Sequence, residues 1–337
     1  MEFILTVIAV LAVTIFLKTN KSIKAGADEA WNPAREVKPE DERPEGQLVP
    51  PDESKVEKPV QKQHRPKAET EPEQDTKPKY GTVPKPGVYA LYGLIGKPLA
   101  HSTSMISFKK KFRAECISAD YCNFELDSVD QITDLLAKYP EIHGLNVTIP
   151  YKTEIIPYLD SLDDTAREIG AVNVIKVRHN AGRTELTGYN TDCIGFEQSL
   201  RQVLQGRTVK ALVLGTGGAA KAVCYALKRM GIEYGQVSRN SSFDMLGYYE
   251  LSPSVMDEHQ LIVNCTPVGM SPDTEQCPDI PYAYLSSDHI LFDLIYNPET
   301  TRFMQKGIEH GATVCNGAEM LRIQAQEAWR IWNESSN

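Results

Sequence analysis

The chain has 337 residues, 41% of them hydrophobic, and a formal net charge of −9. That length suffices for one sizeable core or two modest ones, and the acidic balance argues against nucleic-acid binding through a general basic surface. Seven cysteines, an odd number with no C-x-x-C pair, offer neither a disulfide framework nor a zinc spacing and fit a reducing compartment.

Residues 1–17, MEFILTVIAVLAVTIFL, are apolar apart from Glu2 and two threonines, and Lys18, Lys21 and Lys24 follow. As a helix this run reaches roughly 25 Å, enough to cross a bilayer core if the flanking lysines snorkel. A secretory signal would carry positive charge before the apolar run and a small-residue cleavage site after it, and neither is evident. The lysines lie on the far side, which predicts an uncleaved transmembrane anchor over 1–17 with the remainder on the cytoplasmic face of the membrane. Residues 18–87 are rich in Pro, Glu, Lys, Gln and Asp, as in KPEDERPEGQLVPPDESKVEKP. Such a stretch buries too little to offset its ordering entropy and reads as a disordered tether.

Globular patterning starts at about residue 88. YGLIGKPLAHSTS (92–104) reads as strand, Gly-Pro turn and hydroxyl-rich helix start, which offers hydroxyls and free N–H groups to an anion. In NVTIPYK (146–152), Pro150 cannot join a sheet ladder, so a strand through Leu145 and Val147 should stop there. Asn146, Thr148 and Lys152 then lie near a strand end, where open α/β sheets keep their ligand crevices. A lone lysine in such a place would otherwise be an exposed loop residue. GAVNVI (170–175) places Asn173 in a strand, and GYNTDCIGF (188–196) places Asn190, Thr191 and Asp192 at a bend before a helix, where Thr191 or Asp192 could simply be a cap.

VKALVLGTGGAAKAVCYALKRMG (209–231) is the most informative local pattern. An apolar strand over 209–214 leads through Gly215, Gly217, Gly218 and Ala219 into a helix that ends at Gly231. This is a G-x-G-x-x-A form of the dinucleotide fingerprint in its proper strand-and-helix context: Gly215 for the tight turn, Gly217 for close approach to a pyrophosphate, and Ala220 for helix-on-strand packing. The following strand ends near Ser238 and Arg239, where an NAD site would have Asp or Glu. A hydroxyl and a guanidinium suit a 2′-phosphate, so NADP is the expected cofactor; an exposed arginine after a strand is the plain alternative. LIVNCTPVGM (261–270) is a strand running into a turn that sets Asn264, Thr266 and Gly269 on the cofactor side. HILFDLIYNPETTRFMQKGIEHGA (289–312) is strand, turn and helix, and NGAEMLRIQAQEAWRIW (316–332) is an amphipathic helix with Gln324 among apolar residues. The alternation predicts an α/β protein with a doubly wound sheet.

Taken in order, the segments resemble the shikimate dehydrogenase family. Its motifs Gly-x-Pro leading to His-Ser-x-Ser, Asn-Val-Thr-x-Pro-x-Lys, Gly-Ala-Val-Asn, Asn-Thr-Asp-x-x-Gly-Phe, Gly-x-Gly-Gly-Ala, Asn-x-Thr-Pro-x-Gly-Met and Asn-Gly-x-x-Met-Leu-x-x-Gln all occur, in that order, over residues 88–333. The resemblance implies a reversible NADP-linked reduction of 3-dehydroshikimate to shikimate, a step of aromatic amino-acid biosynthesis. It implies Ser102 and Ser104 on the substrate carboxylate, Thr148, Asn173, Asp192 and Gln324 on the ring hydroxyls, and Tyr296 at the pocket. Met270 joins the cofactor residues through its motif, and Lys152 with Asp192 becomes the catalytic pair. The chemistry supports that pair independently, since hydride delivery to a ketone builds charge on oxygen that a positioned cationic donor stabilises and protonates. No metal is required by such chemistry.

Two departures stand out: Met105 follows Ser104 where the family usually has Pro, and Ser238-Arg239-Asn240 replaces the usual Asn-Arg-Thr. The organisation expected is a substrate-binding domain over 88–190, completed by a C-terminal helix within 317–337, and a Rossmann-type NADP domain over 191–316, with a cleft between them that closes on substrate. Three rivals stand beside this reading. One is a quinate/shikimate dehydrogenase using NAD, and another a different dinucleotide enzyme sharing only the cofactor domain. The third is an inactive, membrane-tethered scaffold, against which the intact Lys152 and Asp192 argue.

Overall fold

The computed structural model describes residues 90–334 apart from His101 and Ala181. The apolar run 1–17 and the tether read over 18–87 lie outside the described residues. Among those described, no helix is long and apolar enough to cross a membrane.

Two six-stranded sheets organise the chain. The first is built from β1 (Ala90–Gly96), β2 (Ala119–Glu125), β3 (Ile142–Val147), β4 (Ser161–Leu162), β5 (Val174–Asn180) and β6 (Arg183–Tyr189), in the order β2-β1-β3-β5-β6-β4. β1, β2 and β3 are parallel and are joined by α1 (Ser104–Ala114) and α2 (Ile132–Lys138). β1 is buried almost throughout, as a strand covered on both faces must be. β5 then pairs antiparallel with β3 and with β6, and β6 shows the inside-outside alternation of a half-covered strand. α3 (Asp164–Ile169) precedes β5 and is capped by the Asp163 carboxylate, which accepts the N–H groups of Thr165 and Ala166. Leu91, Ile95, Phe124 and Leu145 pack on one face of the sheet; Tyr92, Leu94 and Tyr121 pack on the other, under Phe108 and Phe112 of α1.

The second sheet comprises β7 (Ala211–Leu214), β8 (Tyr234–Ser238), β9 (Leu246–Gly247), β10 (Leu261–Asn264), β11 (Ile290–Asp293) and β12 (Thr313–Cys315), all parallel, in the order β12-β11-β10-β7-β8-β9. Counted from the β9 edge, the strands run third, second, first, fourth, fifth, sixth, which is the dinucleotide-fold order with its switch point between β7 and β10. α4 (Asp192–Leu204) leads into this sheet, α5 (Gly218–Arg229) follows β7, α6 (Pro253–Glu258) precedes β10, and α7 (Arg302–Glu309) follows β11. Between β8 and β9, residues 239–245 contain no helix.

The last helix, α8 (Ala318–Asn333), contributes to both cores. Its Met320 packs with Phe196 and Leu200 of α4, Val213 of β7 and Val263 of β10. Its Ala328, Ile331 and Trp332 pack with Tyr92, Phe108 and Phe112 of the first sheet. The Trp332 indole N–H also donates to the carbonyl of Ile175 at 3.0 Å. A side chain on Gly144 would run into that indole, so the glycine of β3 is what lets the helix lie flat on the sheet.

Candidate active site

Four of the site residues expected from sequence come together in one hydrogen-bonded cluster. Lys152 sits on the turn that follows β3, where its carbonyl accepts the Val172 N–H at 2.7 Å. Its ammonium Nζ lies 2.6 Å from Oδ2 of Asp192, and both side chains are largely buried. Asp192 is the first residue of α4, where the helix dipole favours an anion. Its other oxygen, Oδ1, accepts from the Asn173 amide Nδ2 at 2.9 Å, and that amide also lies 3.3 Å from Oε1 of Gln324 on α8. Asn173 precedes β5 rather than lying within it. Even so, its N–H bonds to Tyr189 and its carbonyl accepts from Val147, so the ladder contacts continue through it.

Thr191 completes the cluster. It holds the N-cap position of α4 without a side-chain cap; its hydroxyl instead meets Asn173 Nδ2 at 3.0 Å, and its N–H donates to Asn173 Oδ1 at 2.7 Å. A mere cap would aim that hydroxyl along the helix. Asn190 supports the bend by donating to the Ala171 carbonyl and accepting the Cys193 N–H. Asn146, prominent in the sequence motif, is buried under the cluster: it accepts from the Tyr121 hydroxyl at 2.9 Å and donates to the Asn173 carbonyl at 3.3 Å. The polar types were visible in the sequence, but their division between site and support was not.

The other residues expected at the substrate make no hydrogen bond to this cluster among the described residues. Thr148, half-buried at the end of β3, donates its N–H to Ile95. Ser102 and Ser104 lie at the start of α1, where the Ser104 N–H donates to the Ser102 hydroxyl at 3.3 Å. Ser104 also lines a cavity of about 270 Å³ between α1 and α8, together with Phe108, Lys111, Leu321 and Arg322. Tyr296 is half-buried on the loop after β11.

The fingerprint glycines occupy the C-terminal edge of the second sheet. Gly215 has φ of +109°, a left-handed value that a side chain would strain. Gly217 is the N-cap of α5, has no side chain to occupy the cap, and has nothing within 4 Å of where a Cβ would stand. The first N–H groups of α5 therefore face an open cradle that fits a pyrophosphate. A Cβ on Gly218 would fall 2.7 Å from Cβ of Lys152. The anion cradle and the lysine are thus in direct contact, and only glycine permits it. Ala219, half-buried, is the next residue of that first turn.

Ser238 ends β8, and its hydroxyl accepts the Asn240 N–H at 3.2 Å. Arg239 beside it is exposed and, among the described residues, has no carboxylate paired with it. The turn after β10 is organised from within. Asn264 is fully buried; its amide donates to Asp293 Oδ1 at 3.0 Å, and its oxygen accepts the Thr266 hydroxyl at 2.7 Å and the Thr266 N–H at 3.0 Å. Its side chain thus braces the turn from inside, while Gly269, at φ +96°, bends it and Met270 is exposed. Asp293 was not anticipated from sequence: it accepts the Thr301 hydroxyl at 2.6 Å and the Ile295 N–H at 3.1 Å, and burial pushes its carboxyl up to about 6. Its only sequence signal was an acidic residue inside an apolar strand.

The chain is similar in sequence and in fold to known proteins. The family model described as the shikimate dehydrogenase substrate binding domain matches residues 94–175. The shikimate dehydrogenase (NADP(+)) of Aquifex aeolicus is 37% identical over 247 residues, covering 70% of this chain and 88% of that one. The crystal structure of the Aquifex aeolicus shikimate dehydrogenase superposes with a TM-score of 0.65 at 36% identity, covering 74% of this chain and 94% of that one. That of the Thermus thermophilus shikimate 5-dehydrogenase in complex with NADP(H) and shikimate gives 0.64 at 28% identity, covering 72% and 93%.

Proposed function

The chain belongs to the shikimate dehydrogenase family, and from that premise we infer that it catalyses the reversible NADP-linked reduction of 3-dehydroshikimate to shikimate with Lys152 and Asp192 at the reacting centre. The observation that carries this reading is the 2.6 Å Lys152–Asp192 pair held against the N-terminal turn of α5. A dinucleotide bound through Gly215, Gly217, Gly218 and Ala219 would have its pyrophosphate beside the lysine. When bound, the nicotinamide supplies the hydride.

The chain's own residues do the rest. Asp192 takes one of the three N–H bonds of the Lys152 ammonium and leaves two to reach the substrate carbonyl oxygen. As charge develops on that oxygen, the ammonium stabilises it and delivers the proton. Asn173 fixes the Asp192 carboxylate, and the remaining polar edges of Asn173 and Gln324 hold ring hydroxyls together with Thr148. Ser102 and Ser104 hold the carboxylate, and Tyr296 borders the pocket. Ser238 and Arg239 read the 2′-phosphate, while Asn264 shapes the turn that brings Thr266, Gly269 and Met270 to the cofactor. Residues 88–190 with the helix in 317–337 form the substrate side, and 191–316 the NADP side.

Membrane attachment through residues 1–17, with 18–87 as tether and the catalytic part on the cytoplasmic face, rests on the apolar run and the lysines after it.

The test is nicotinamide absorbance with the full chain, shikimate or quinate, and NADP⁺ or NAD⁺, beside Lys152→Ala. Shikimate turnover favouring NADP⁺ is expected, with kcat lowered by roughly 10²- to 10⁴-fold in the variant, the range typical of a lost general acid. Quinate turnover favouring NAD⁺ would support the quinate/shikimate alternative. Shikimate binding without turnover on either cofactor would overturn the enzyme reading in favour of a binding scaffold. Membrane fractionation of the chain with and without 1–17 tests the anchor; an unchanged distribution removes it.

A further inference from the structure

A parallel pair of strands ordinarily needs a crossover of about a dozen residues or more, most often a helix. Between β8 and β9, the chain makes this crossing within residues 239–245 and without one. The short connection starts at the C-terminal end of β8, where the 2′ position of a dinucleotide ribose is read. What stands there is an aromatic ring. In the β8–β9 register, Ser238 lies opposite Gly247. The ring of Tyr249 lies against Gly247: a Cβ on that glycine would come within 2.5 Å of the ring's Cε1 and 2.9 Å of Cδ1. The Tyr249 hydroxyl is 2.7 Å from the Ser241 hydroxyl, which ties the ring to the loop carrying Arg239. Despite these two contacts Tyr249 is 80% exposed, so the side of its ring away from Gly247 is open to solvent.

We propose that Tyr249 is a cofactor-positioning residue: its open ring face stacks on the adenine of NADP, and its hydroxyl, through Ser241, holds the 238–241 loop so that Arg239 meets the 2′-phosphate. This rests on the assignment of Ser238 and Arg239 to the 2′-phosphate. A nucleobase is the flat apolar partner that fits a ring pinned beside an anion-reading loop. Phe243, at the tip of the same loop, is fully exposed as well, but no hydrogen bond can fix its ring, so it lacks the preorganisation that makes a stacking platform.

Steady-state kinetics of the full chain with shikimate saturating, and direct titration of NADP⁺ or NAD⁺ onto the full chain without shikimate, separate the possibilities, each KM change below being expected as the same fold-change in Kd. Tyr249→Ala should raise KM for both NADP⁺ and NAD⁺ by about 5- to 100-fold, since both carry adenine, with the loss in KM rather than kcat. Tyr249→Phe keeps the ring and should leave KM for NAD⁺ near wild type while raising that for NADP⁺ several-fold. Arg239→Ala should raise KM for NADP⁺ alone, and Phe243→Ala should raise neither. If Arg239→Ala acts as stated and Tyr249→Ala leaves both KM values within twofold of wild type, the stacking role is overturned and the 2′-phosphate site stands. If Arg239→Ala also leaves KM for NADP⁺ unchanged, the 2′-phosphate assignment falls and the proposal with it.

Discussion

Asp293 shows how much chemistry one buried side chain can hold in reserve. Three donors surround its carboxylate, the Thr301 hydroxyl, the Ile295 N–H and the Asn264 amide, and each favours ionisation. Burial outweighs them and raises the carboxyl from the ordinary 3.8 to about 6. A carboxyl raised on folding binds its proton more tightly in the folded state than in the unfolded state. Its contribution to stability is therefore full below about pH 4 and is lost as pH rises through 6, by about 3 kcal/mol for a shift of roughly two units. An Asp293→Asn variant cannot ionise and lacks this dependence. Urea titrations from pH 4 to pH 7 should show the wild-type unfolding free energy falling by about that amount relative to the variant. A constant difference over the window would mean that the folded carboxylate is already ionised at pH 4. Because Asp293 braces Asn264, and Asn264 braces Thr266, its carboxyl is linked by hydrogen bonds to the turn after β10.

At the scale of elements, legibility followed the chemistry of the backbone. The fingerprint was readable because tight turns, close approach and helix-on-strand packing each restrict residue type, and Gly215, Gly217 and Ala220 answered those restrictions in order. The strand ending before Pro150 was readable for the same reason, as was the helix after the 190–192 bend, although Asp192 proves to be its first residue and not part of the bend before it. Other features depend on atoms far away in sequence. Nothing local in NTDCIGF says that the Thr191 hydroxyl turns to Asn173 and Gln324 rather than capping α4. Nor does LIVNCTP show that the Asn264 side chain faces inward, since Asp293 on the neighbouring strand decides it. The β8–β9 crossing was not read from the sequence at all, since β9 is only two residues long, and its consequence, the open face of Tyr249, needed the strand register.

At the scale of the whole molecule, the helix pair α4 and α8 joins the two sheets. α4 belongs to the second core, yet its first residue is Asp192 of the polar cluster; α8 places Met320 in the second core, Trp332 in the first and Gln324 between them. Where the helices cross, Gly195 leaves so little room that a Cβ would fall 2.7 Å from the Met320 carbonyl oxygen and 3.3 Å from Cβ of Gln324. A backbone oxygen cannot swing aside as a side chain can, so Gly195→Ala must push the helices apart, and overpacking of this kind costs about 1–3 kcal/mol. Since α8 is shared by both cores, neither can lose it and stay intact, and the two should unfold as one cooperative unit. Amide exchange at increasing denaturant should give coincident midpoints for residues 142–147 in the first sheet and 211–214 in the second. In Gly195→Ala both midpoints should move down together. If only the 211–214 midpoint falls, the cores are separable, α8 does not couple them, and the geometry between Lys152 and the anion cradle is then set by the contacts of α5 with Lys152, Gly170 and Ala171.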